Sequence, residues 1–229
     1  TEDGLDGVGE CSLNGFARTT VACIEELSRY FLGKRPEDYT TITAKMLTDL
    51  YSDAGQLHRG VIAAVEMACL DILGKRTGLP VSALLWGKVR DEIPAYANGW
   101  YRVERTPEEF ERAAQKAIEL GYSVLKFDPL GSLVSPLSTD SMAECTRMLY
   151  AMDVMRRPGR LAVECHQRLD WTDAKVVLGY MSVRGNYGWA WIEEPLPWWD
   201  LEGRARLANT SPVPVATGEN LTSVRQFED

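Results

Sequence analysis

The segment GWAWIEEP, residues 188–195, places two adjacent carboxylates at the end of an apolar run and follows them with a proline. Such a short run, bounded by glycine and proline, predicts a buried β-strand that ends at Glu194. Successive side chains of a strand point to opposite faces, so Glu193 and Glu194 cannot both face the same side. Because Trp191 and Ile192 are both large, the alternation does not decide which glutamate faces a polar site.

The pattern around this segment repeats from Ile93 onward. Each repeat consists of a short apolar run, a short polar segment and an amphipathic stretch. The ends of the predicted strands follow one another at intervals that fit one strand, one loop and one helix. This series of β-strand and α-helix units predicts a parallel sheet. The predicted strands are EIPAYAN (92–98), YSVLKFD (122–128), LAVECH (161–166), GWAWIEE (188–194) and VPVATGE (213–219).

The clearest predicted helix is TPEEFERAAQKAIELG, residues 106–121. Thr106 suits the N-cap, Pro107 the first helical position and Glu109 the capping box, while Gly121 is suited to end the helix. A helix at this place, between two predicted strands, supports the repeated unit.

Two architectures accommodate such a series, an open doubly wound sheet and an eight-stranded barrel. The barrel is favoured because polar side chains stand at the C-terminal ends of the predicted strands, where barrel active sites are assembled. These side chains are Lys126, Asp128, Glu164, His166, Glu193 and Glu219. No glycine-rich phosphate loop follows the first strand, which weakens the dinucleotide-binding alternative. A barrel needs eight strands, so we expect a chain truncated after its fifth βα unit; the alternative is a complete open sheet with an unprotected edge.

Residues 1–92 lack the repeated strand and helix pattern, and we predict that they form a separate α+β capping domain whose start is missing. Residues 93–229 are predicted to form the first part of the barrel. The glycine-rich segment DGLDGVGEC, residues 3–11, is predicted to be the end of a strand. A long apolar stretch, residues 57–78, predicts a helix that ends at one of its last two glycines.

The chain of 229 residues is 45% hydrophobic and 25% charged, with a net charge of −8. This composition predicts a globular protein, and its acidic balance argues against nucleic acid as a partner. The longest apolar stretch is interrupted by Glu66 and Asp71, which argues against a membrane span. Five scattered cysteines without CxxC spacing argue against a zinc site or a disulfide framework and favour the cytoplasm.

Carboxylates at the ends of three successive strands are expected to converge at one edge of the sheet. They would repel one another and have raised pKa values unless a cation lay among them. A site built only from oxygen ligands suits Mg²⁺ better than zinc. Any one of these acids taken alone is more commonly a solvated group at a strand end, but three at equivalent positions favour a metal.

The motifs VLKFDPLG, VECHQRLDW, WIEEP and VATGEN, behind the segment ACLDILGKRTGLPVSALLWG, resemble the mandelate racemase/muconate lactonizing enzyme branch of the enolase superfamily. The resemblance covers essentially the whole chain. It implies an α/β fold, an enolase-type modified (β/α) barrel with an N-terminal α+β capping domain. It also implies removal of the proton beside a substrate carboxylate, giving an enediolate held by Mg²⁺.

Carried over residue by residue, the resemblance assigns Glu164, Glu193 and Glu219 to the metal and Lys126 to the substrate carboxylate. The second lysine of the family's Lys-x-Lys motif is replaced by Asp128. This departure disfavours racemisation by two bases and lysine-driven cycloisomerisation. We expect Asp128 to hydrogen-bond substrate hydroxyls or to hold the lysine.

His166, two residues beyond a predicted ligand, resembles the general acid of the sugar-acid dehydratases that act on galactonate or gluconate. A departing hydroxyl must be protonated, and imidazole is suited to that step. The alternative is a histidine that packs or orients Glu164. The resemblance places the general base downstream of Asp229.

Substrate contacts are predicted for Asn98, Trp100 and Arg168, although packing is an equal alternative for the tryptophan. The predicted function is Mg²⁺-dependent dehydration of an aldonate or aldarate, a small carboxylate sugar, to a 2-keto-3-deoxy acid. One alternative is an epimerase, racemase or cycloisomerase that uses the same site. The other is a non-catalytic, metal-stabilised homologue that binds a ligand. The resemblance also implies a homo-oligomer.

Overall fold

The computed structural model divides the chain into two compact units, Thr1–Glu92 with Thr222–Asp229, and Ile93–Leu221. None of the described helices has the length and apolar character needed to cross a membrane. The structure describes residues 1–11, 13, 15–51, 54–154, 160–183 and 188–228.

The regular secondary structure in the described part of the first unit is helical. Its longest helix is amphipathic only in part and ends at Gly78, the second of the two predicted positions. Gly78 has φ 70°, a conformation that glycine adopts without strain, and its N–H donates to the carbonyl of Gly74. The helices are α1 (Ala17–Leu27), α2 (Tyr39–Thr48), α3 (Gln56–Thr77) and α4 (Val81–Leu85), with a last short helix at Val224–Glu228. The core of this unit is formed by Leu27, Ile42, Met46, Val61 and Ile62.

The strand predicted within residues 3–11 does not form in the described part of that segment, so this prediction was wrong. The segment instead lies against the backbone of α3. A Cβ atom at Gly7 would come within 2.1 Å of the carbonyl oxygen of Ala68, and one at Gly9 within 1.8 Å of that of Ala64. Both glycines are therefore explained by close packing on a helix.

The second unit is a parallel α/β structure, as predicted. Its four described strands are hydrogen-bonded in the order β1-β2-β3-β4. This sequential order is that of a barrel sheet, whereas a doubly wound sheet reverses direction at its centre. The strands are β1 (Val124–Phe127), β2 (Arg160–Glu164), β3 (Trp189–Glu193) and β4 (Val215–Ala216), and the helices between and before them are α5 (Pro107–Glu119), α6 (Thr139–Val154), α7 (Trp171–Val183) and α8 (Leu201–Thr210).

The first predicted strand, residues 92–98, is reduced to a single bridge between Ala97 and Leu125. Ala97 donates to the carbonyl of Val124 at 2.9 Å, and the remainder of the segment is irregular. Pro94 has no N–H to contribute to a ladder, which limits pairing to the end of the segment. The prediction of a full strand was therefore wrong, although its parallel placement beside β1 holds.

The predicted start of α5 is confirmed. Thr106 is the N-cap, and its hydroxyl accepts a hydrogen bond from the backbone of Glu109 at 3.3 Å. The Glu109 carboxylate pairs with Arg112 instead of closing the capping box. Beyond the helix, Gly121 has φ 95°, a conformation that favours glycine and turns the chain toward β1.

Strand alternation separates an apolar face of the sheet from a polar one. Leu125 and Phe127 on β1 are 2% and 0% exposed and belong to the core, as do Val163 on β2 and Ile192 on β3. The ring of Phe127 lies 6.4 Å from that of Phe110 on α5, in an edge-on arrangement. Side chains one position away on each strand point to the opposite face, where the site residues lie.

We predict that Leu149→Ala in α6 lowers the free energy of unfolding by about 2–5 kcal/mol, because the side chain is fully buried and its removal leaves a cavity. The matched control is Leu120→Ala, whose side chain is 72% exposed and whose loss should change stability by less than about 0.5 kcal/mol. Urea denaturation followed by far-UV circular dichroism measures both changes. Equal losses in the two variants would contradict the assigned core.

Candidate metal-binding site

Three carboxylates meet at the C-terminal edge of the sheet. Glu164 ends β2 and Glu193 ends β3, and the two stand directly opposite each other in the parallel register. Glu219 follows β4 by three residues. One carboxylate oxygen of each residue lies within 4.8 Å of the other two. The group runs from a buried acid, Glu164, to an exposed one, Glu219, so it opens toward solvent.

Lys126 on β1 places its ammonium group between two of these acids. Its Nζ donates to Oε2 of Glu164 at 2.9 Å and to Oε1 of Glu193 at 2.7 Å, and its side chain is 8% exposed. Burial lowers the pKa of Lys126, but the hydrogen bonds and charges of the two glutamates outweigh that effect and hold the pKa above its ordinary value. The lysine is therefore a permanent positive charge in the site.

The environments of the two paired glutamates move their pKa values in opposite directions. Burial raises the pKa of Glu164, and the amide of His166 and the ammonium of Lys126 only partly offset it. Burial also raises the pKa of Glu193, but hydrogen bonds from Lys126 and from the indole of Trp191, at 2.7 Å, outweigh it and lower the pKa. The three carboxylates carry more negative charge than the single ammonium group of Lys126 can compensate, so the group can accept a divalent cation. Its oxygen donors suit a hard ion.

A second cluster surrounds Asp128, just beyond the end of β1. Its Oδ2 atom lies 3.1 Å from Nδ1 of His166 and accepts a hydrogen bond from Arg168 at 3.0 Å. Its Oδ1 atom accepts hydrogen bonds from the amides of Leu130 at 2.7 Å and Gly131 at 2.9 Å. Because an ionised carboxylate only accepts hydrogen bonds, the proton in the contact with His166 belongs to the imidazole.

These contacts settle the charge of the aspartate and the orientation of the imidazole. Burial raises the pKa of Asp128, but the hydrogen bonds from His166 and the two amides, with the charge of Arg168, outweigh it and lower the pKa. The hydrogen bond to Asp128 raises the pKa of His166 above its ordinary value, although burial opposes it. The backbone N–H of His166 also donates to Glu164 at 2.9 Å, which joins the two clusters.

Three residues at the strand ends have left-handed backbone conformations that are unusual outside glycine. The φ angles are 47° at His166, 60° at Gln167 and 40° at Glu194. Each such residue costs about 1–3 kcal/mol, and residues of this kind cluster at functional sites. Backbone hydrogen bonds maintain them, since Gln167 donates to the carbonyl of Glu194 at 2.6 Å and Glu194 donates to that of Ala216 at 3.0 Å.

Two residues predicted to contact substrate, Asn98 and Trp100, have other contacts in the described structure. The Asn98 amide oxygen accepts a hydrogen bond from the backbone of Gly99 at 2.9 Å. The ring of Trp100 packs against Phe110 and Phe127 at 6.0 and 6.3 Å, in the manner of a core residue. Within the described residues, neither side chain bonds to the carboxylate group, and these two predictions of substrate contact stay untested.

A pocket of about 260 Å³ opens beside the carboxylates. One of its lining residues shares a strand face with a predicted ligand, since Trp191 precedes Glu193 by two positions on β3. That spacing was a usable signal in the sequence, whereas nothing in the sequence distinguished Tyr96, whose ring centroid lies 5.6 Å from the Lys126 ammonium. The pocket is lined by Tyr96, Trp191, Glu193, Glu194, Ala216, Thr217 and Glu219.

Two family models match the chain. The N-terminal domain model of mandelate racemase/muconate lactonizing enzyme matches residues 1–86, and a C-terminal model described as enolase C-terminal domain-like matches residues 109–229. The second match covers more than half of the chain and includes every residue of the carboxylate group.

Individual relatives agree with these matches. The chain is 27% identical over 228 residues to D-gluconate dehydratase of Thermoproteus tenax, covering 99% of this chain and 45% of the relative. It is 29% identical over 231 residues to D-galactonate dehydratase of Pectobacterium atrosepticum, covering 100% of this chain and 58% of the relative. A crystal structure of a candidate dehydratase from Mesorhizobium loti aligns with a TM-score of 0.88 and 29% identity, over 99% of this chain and 63% of that one. The chain thus spans about half the length of these curated relatives.

We predict that Lys126→Met lowers the free energy of unfolding in metal-free buffer at neutral pH by about 3–5 kcal/mol, because it leaves two carboxylates without their buried partner. The loss should shrink as the pH falls. Burial raises the pKa of Glu164 in the folded state, so protonation stabilises the fold at low pH and that stability disappears as the pH rises through the raised pKa. Chemical denaturation at several pH values measures both effects.

The matched control is Lys116→Met on the exposed side of α5, which should change stability by less than about 0.5 kcal/mol. A Lys126→Met protein as stable as the wild type at neutral pH would show that the carboxylates do not depend on this lysine for compensation.

Proposed function

The chain belongs to the mandelate racemase/muconate lactonizing enzyme family of the enolase superfamily, and on this premise we propose that it contributes to the Mg²⁺-dependent dehydration of a sugar acid. The α-proton of an aldonate or aldarate is removed to give an enediolate. The β-hydroxyl then leaves as water, and the resulting enol tautomerises to a 2-keto-3-deoxy acid. The names of the D-gluconate and D-galactonate dehydratases among the relatives support this reaction class.

The observation that carries the proposal is the position of His166. Its backbone is bonded to Glu164 of the carboxylate group, and its imidazole is held by Asp128 at 3.1 Å. The side chain is 40% exposed, so the ring is accessible to solvent. With Nδ1 bound to the aspartate, the Nε2 proton of the imidazolium is available to the departing hydroxyl. A general acid at this step distinguishes dehydration from simple proton exchange.

The three carboxylates and Lys126 form the proposed binding site for the substrate carboxylate. Glu164, Glu193 and Glu219 would hold the Mg²⁺ ion, which when bound supplies positive charge against the negative charge that develops on the substrate. Lys126 contributes a second positive charge at the same edge of the sheet. The indole N–H of Trp191 holds one oxygen of Glu193 and so limits the rotation of that carboxylate.

We assign removal of the α-proton to no residue of this chain. Asp128 is a poor general base, because its low pKa makes the carboxylate a weak proton acceptor and its oxygens are already occupied by four donors. Its observed contacts fit a role in orienting His166, while its predicted contact with substrate hydroxyls stays a prediction.

Other parts of the sequence interpretation also stay proposals. They include the division into a capping domain, residues 1–92, and a barrel domain, residues 93–229. A substrate contact of Arg168 is also a proposal. In the structure this side chain donates to Asp128 and to the carbonyl of Gly131. A cytoplasmic location and a homo-oligomeric state stay predictions as well.

The proposed function is tested by screening the full-length protein with Mg²⁺ against a library of mono- and diacid sugars, with semicarbazide detection of 2-keto acids. We expect at least one substrate. His166→Asn should lower its dehydration rate by about 10²–10⁴-fold, because the leaving hydroxyl loses its acid. Solvent deuterium should still enter the α-position in that variant, whereas Glu193→Gln should abolish both dehydration and exchange.

The matched control is Glu202→Gln, an exposed glutamate of α8, which should leave the rate unchanged. Deuterium exchange by the wild type without any keto acid would contradict dehydration and favour an epimerase, racemase or cycloisomerase. Binding of a sugar acid with neither exchange nor product would instead favour the non-catalytic homologue.

A further inference from the structure

Glu194 is a buried acid that lies beside the carboxylate group without belonging to it. It is 1% exposed and follows β3 with a left-handed backbone. Its backbone N–H donates to Ala216 and its carbonyl accepts from Gln167. Its Oε1 atom accepts from the hydroxyl of Thr217 at 2.9 Å and from the amide of Gly218 at 2.5 Å. Glu194 is therefore bonded to the chain on both sides of β3.

The two residues that donate to Oε1, Thr217 and Gly218, immediately precede Glu219 in the chain. Gly218 has φ 121°, so the chain turns sharply immediately before this residue. In the described chain the Glu219 carboxylate makes no hydrogen bond or ion pair, and its side chain is exposed. The position of this third carboxylate therefore depends on the backbone around it, which the hydrogen bonds of Thr217 and Gly218 to Glu194 hold on one side and the hydrogen bond from Leu221 to the carbonyl of Gly218 closes on the other. We propose that Glu194 is the positioning residue that fixes Glu219 within reach of Glu164 and Glu193.

A closed series of hydrogen bonds supports this role. Gln167 accepts from the backbone of Trp198 at 3.0 Å, and the Trp198 carbonyl accepts from Arg204 at 2.8 Å. Arg204 donates in turn to the hydroxyl of Thr217, which donates to Glu194. Since Gln167 donates to the carbonyl of Glu194, the series returns to its starting residue. The segments after β2, β3 and β4 are thus linked at Glu194, through its backbone to Gln167 and through its carboxylate to Thr217.

Only one oxygen of the Glu194 carboxylate takes part in this series. The other, Oε2, is buried and has no hydrogen-bond partner among the described residues. What the site uses is therefore an acceptor at Oε1, which a glutamine also provides. This distinguishes a positioning role from a need for negative charge and determines the choice of variants.

The inference rests on the proposed metal site, and its test is the affinity of the full-length protein for Mg²⁺, measured by isothermal titration calorimetry without substrate. Glu194→Ala should weaken binding by about 10–100-fold, the usual effect of removing a group that orients a metal ligand. Glu194→Gln should bind Mg²⁺ nearly as tightly as the wild type, because it retains the acceptor. Thr217→Val should bind less tightly than the wild type but more tightly than Glu194→Ala, because only the hydroxyl is lost.

The exposed Glu202→Ala is the matched control and should bind as the wild type does. Thermal unfolding without metal is measured on every variant, because a merely structural role would lower the melting temperature while leaving the Mg²⁺ affinity of the folded protein unchanged.

The outcomes separate the two proposals. A wild type that binds no Mg²⁺ overturns the metal site itself, and the inference with it. A wild type that binds, with Glu194→Ala binding equally well, overturns the inference alone, as does Glu194→Gln binding as weakly as the alanine variant. If Glu194→Ala does not fold, Thr217→Val decides: weakened binding supports the positioning role, and unchanged binding overturns it.

Discussion

The repulsion among three carboxylates at one edge of a sheet is the constraint on which the rest of the site depends. Glu164, Glu193 and Glu219 each have a carboxylate oxygen within 4.8 Å of one of the other two, a separation at which like charges repel. Lys126 compensates part of the negative charge by forming ion pairs with Glu164 and Glu193. The same ion pairs connect β1 to β2 and β3 at this edge of the sheet. The remaining negative charge allows the group to hold a cation. A fold that brings strand ends together thus creates both the electrostatic problem and the binding site.

Holding these groups in place requires backbone conformations that ordinary residues avoid. His166, Gln167 and Glu194 all lie in the left-handed region, directly after β2 and β3. Such conformations persist only when several contacts fix them together. The hydrogen bonds from Gln167 to Glu194 and from Glu194 to Ala216 provide this fixation across neighbouring strands. The left-handed backbone at His166 turns the chain after β2, so that the imidazole contacts Asp128 while the backbone N–H donates to Glu164 of the carboxylate group. The residues with strained backbones are therefore also residues that position the candidate site.

The sequence predicted the parts of the site that follow from local periodicity. Strand order and two-residue alternation were enough to bring Lys126 and Glu164 to one edge of the sheet, because these rules depend only on the backbone, whereas the choice of Glu193 over Glu194 came from the family resemblance. Long-range contacts were beyond such rules. Nothing local shows that Trp100 packs on Phe127, or that the carboxylate of Asp128 is occupied by Arg168 and two amides. The strand predicted around Pro94 failed for a local reason, since the missing N–H limits pairing in a way that apolar alternation does not register.

Asp128 and Glu194 show a common solution to the problem of placing a reactive group at a strand end. Each is a buried acid beside a residue of the polar face, and each uses its carboxylate to hold backbone amides of a turn, Asp128 those of Leu130 and Gly131, Glu194 that of Gly218. At Asp128, whose pKa is lowered, these hydrogen bonds are charge-assisted and roughly twice as strong as neutral ones, whereas at Glu194 the acceptor oxygen itself is what the turn uses. Acids outside the carboxylate group can therefore matter to the site as well, since they set the positions from which the other residues act.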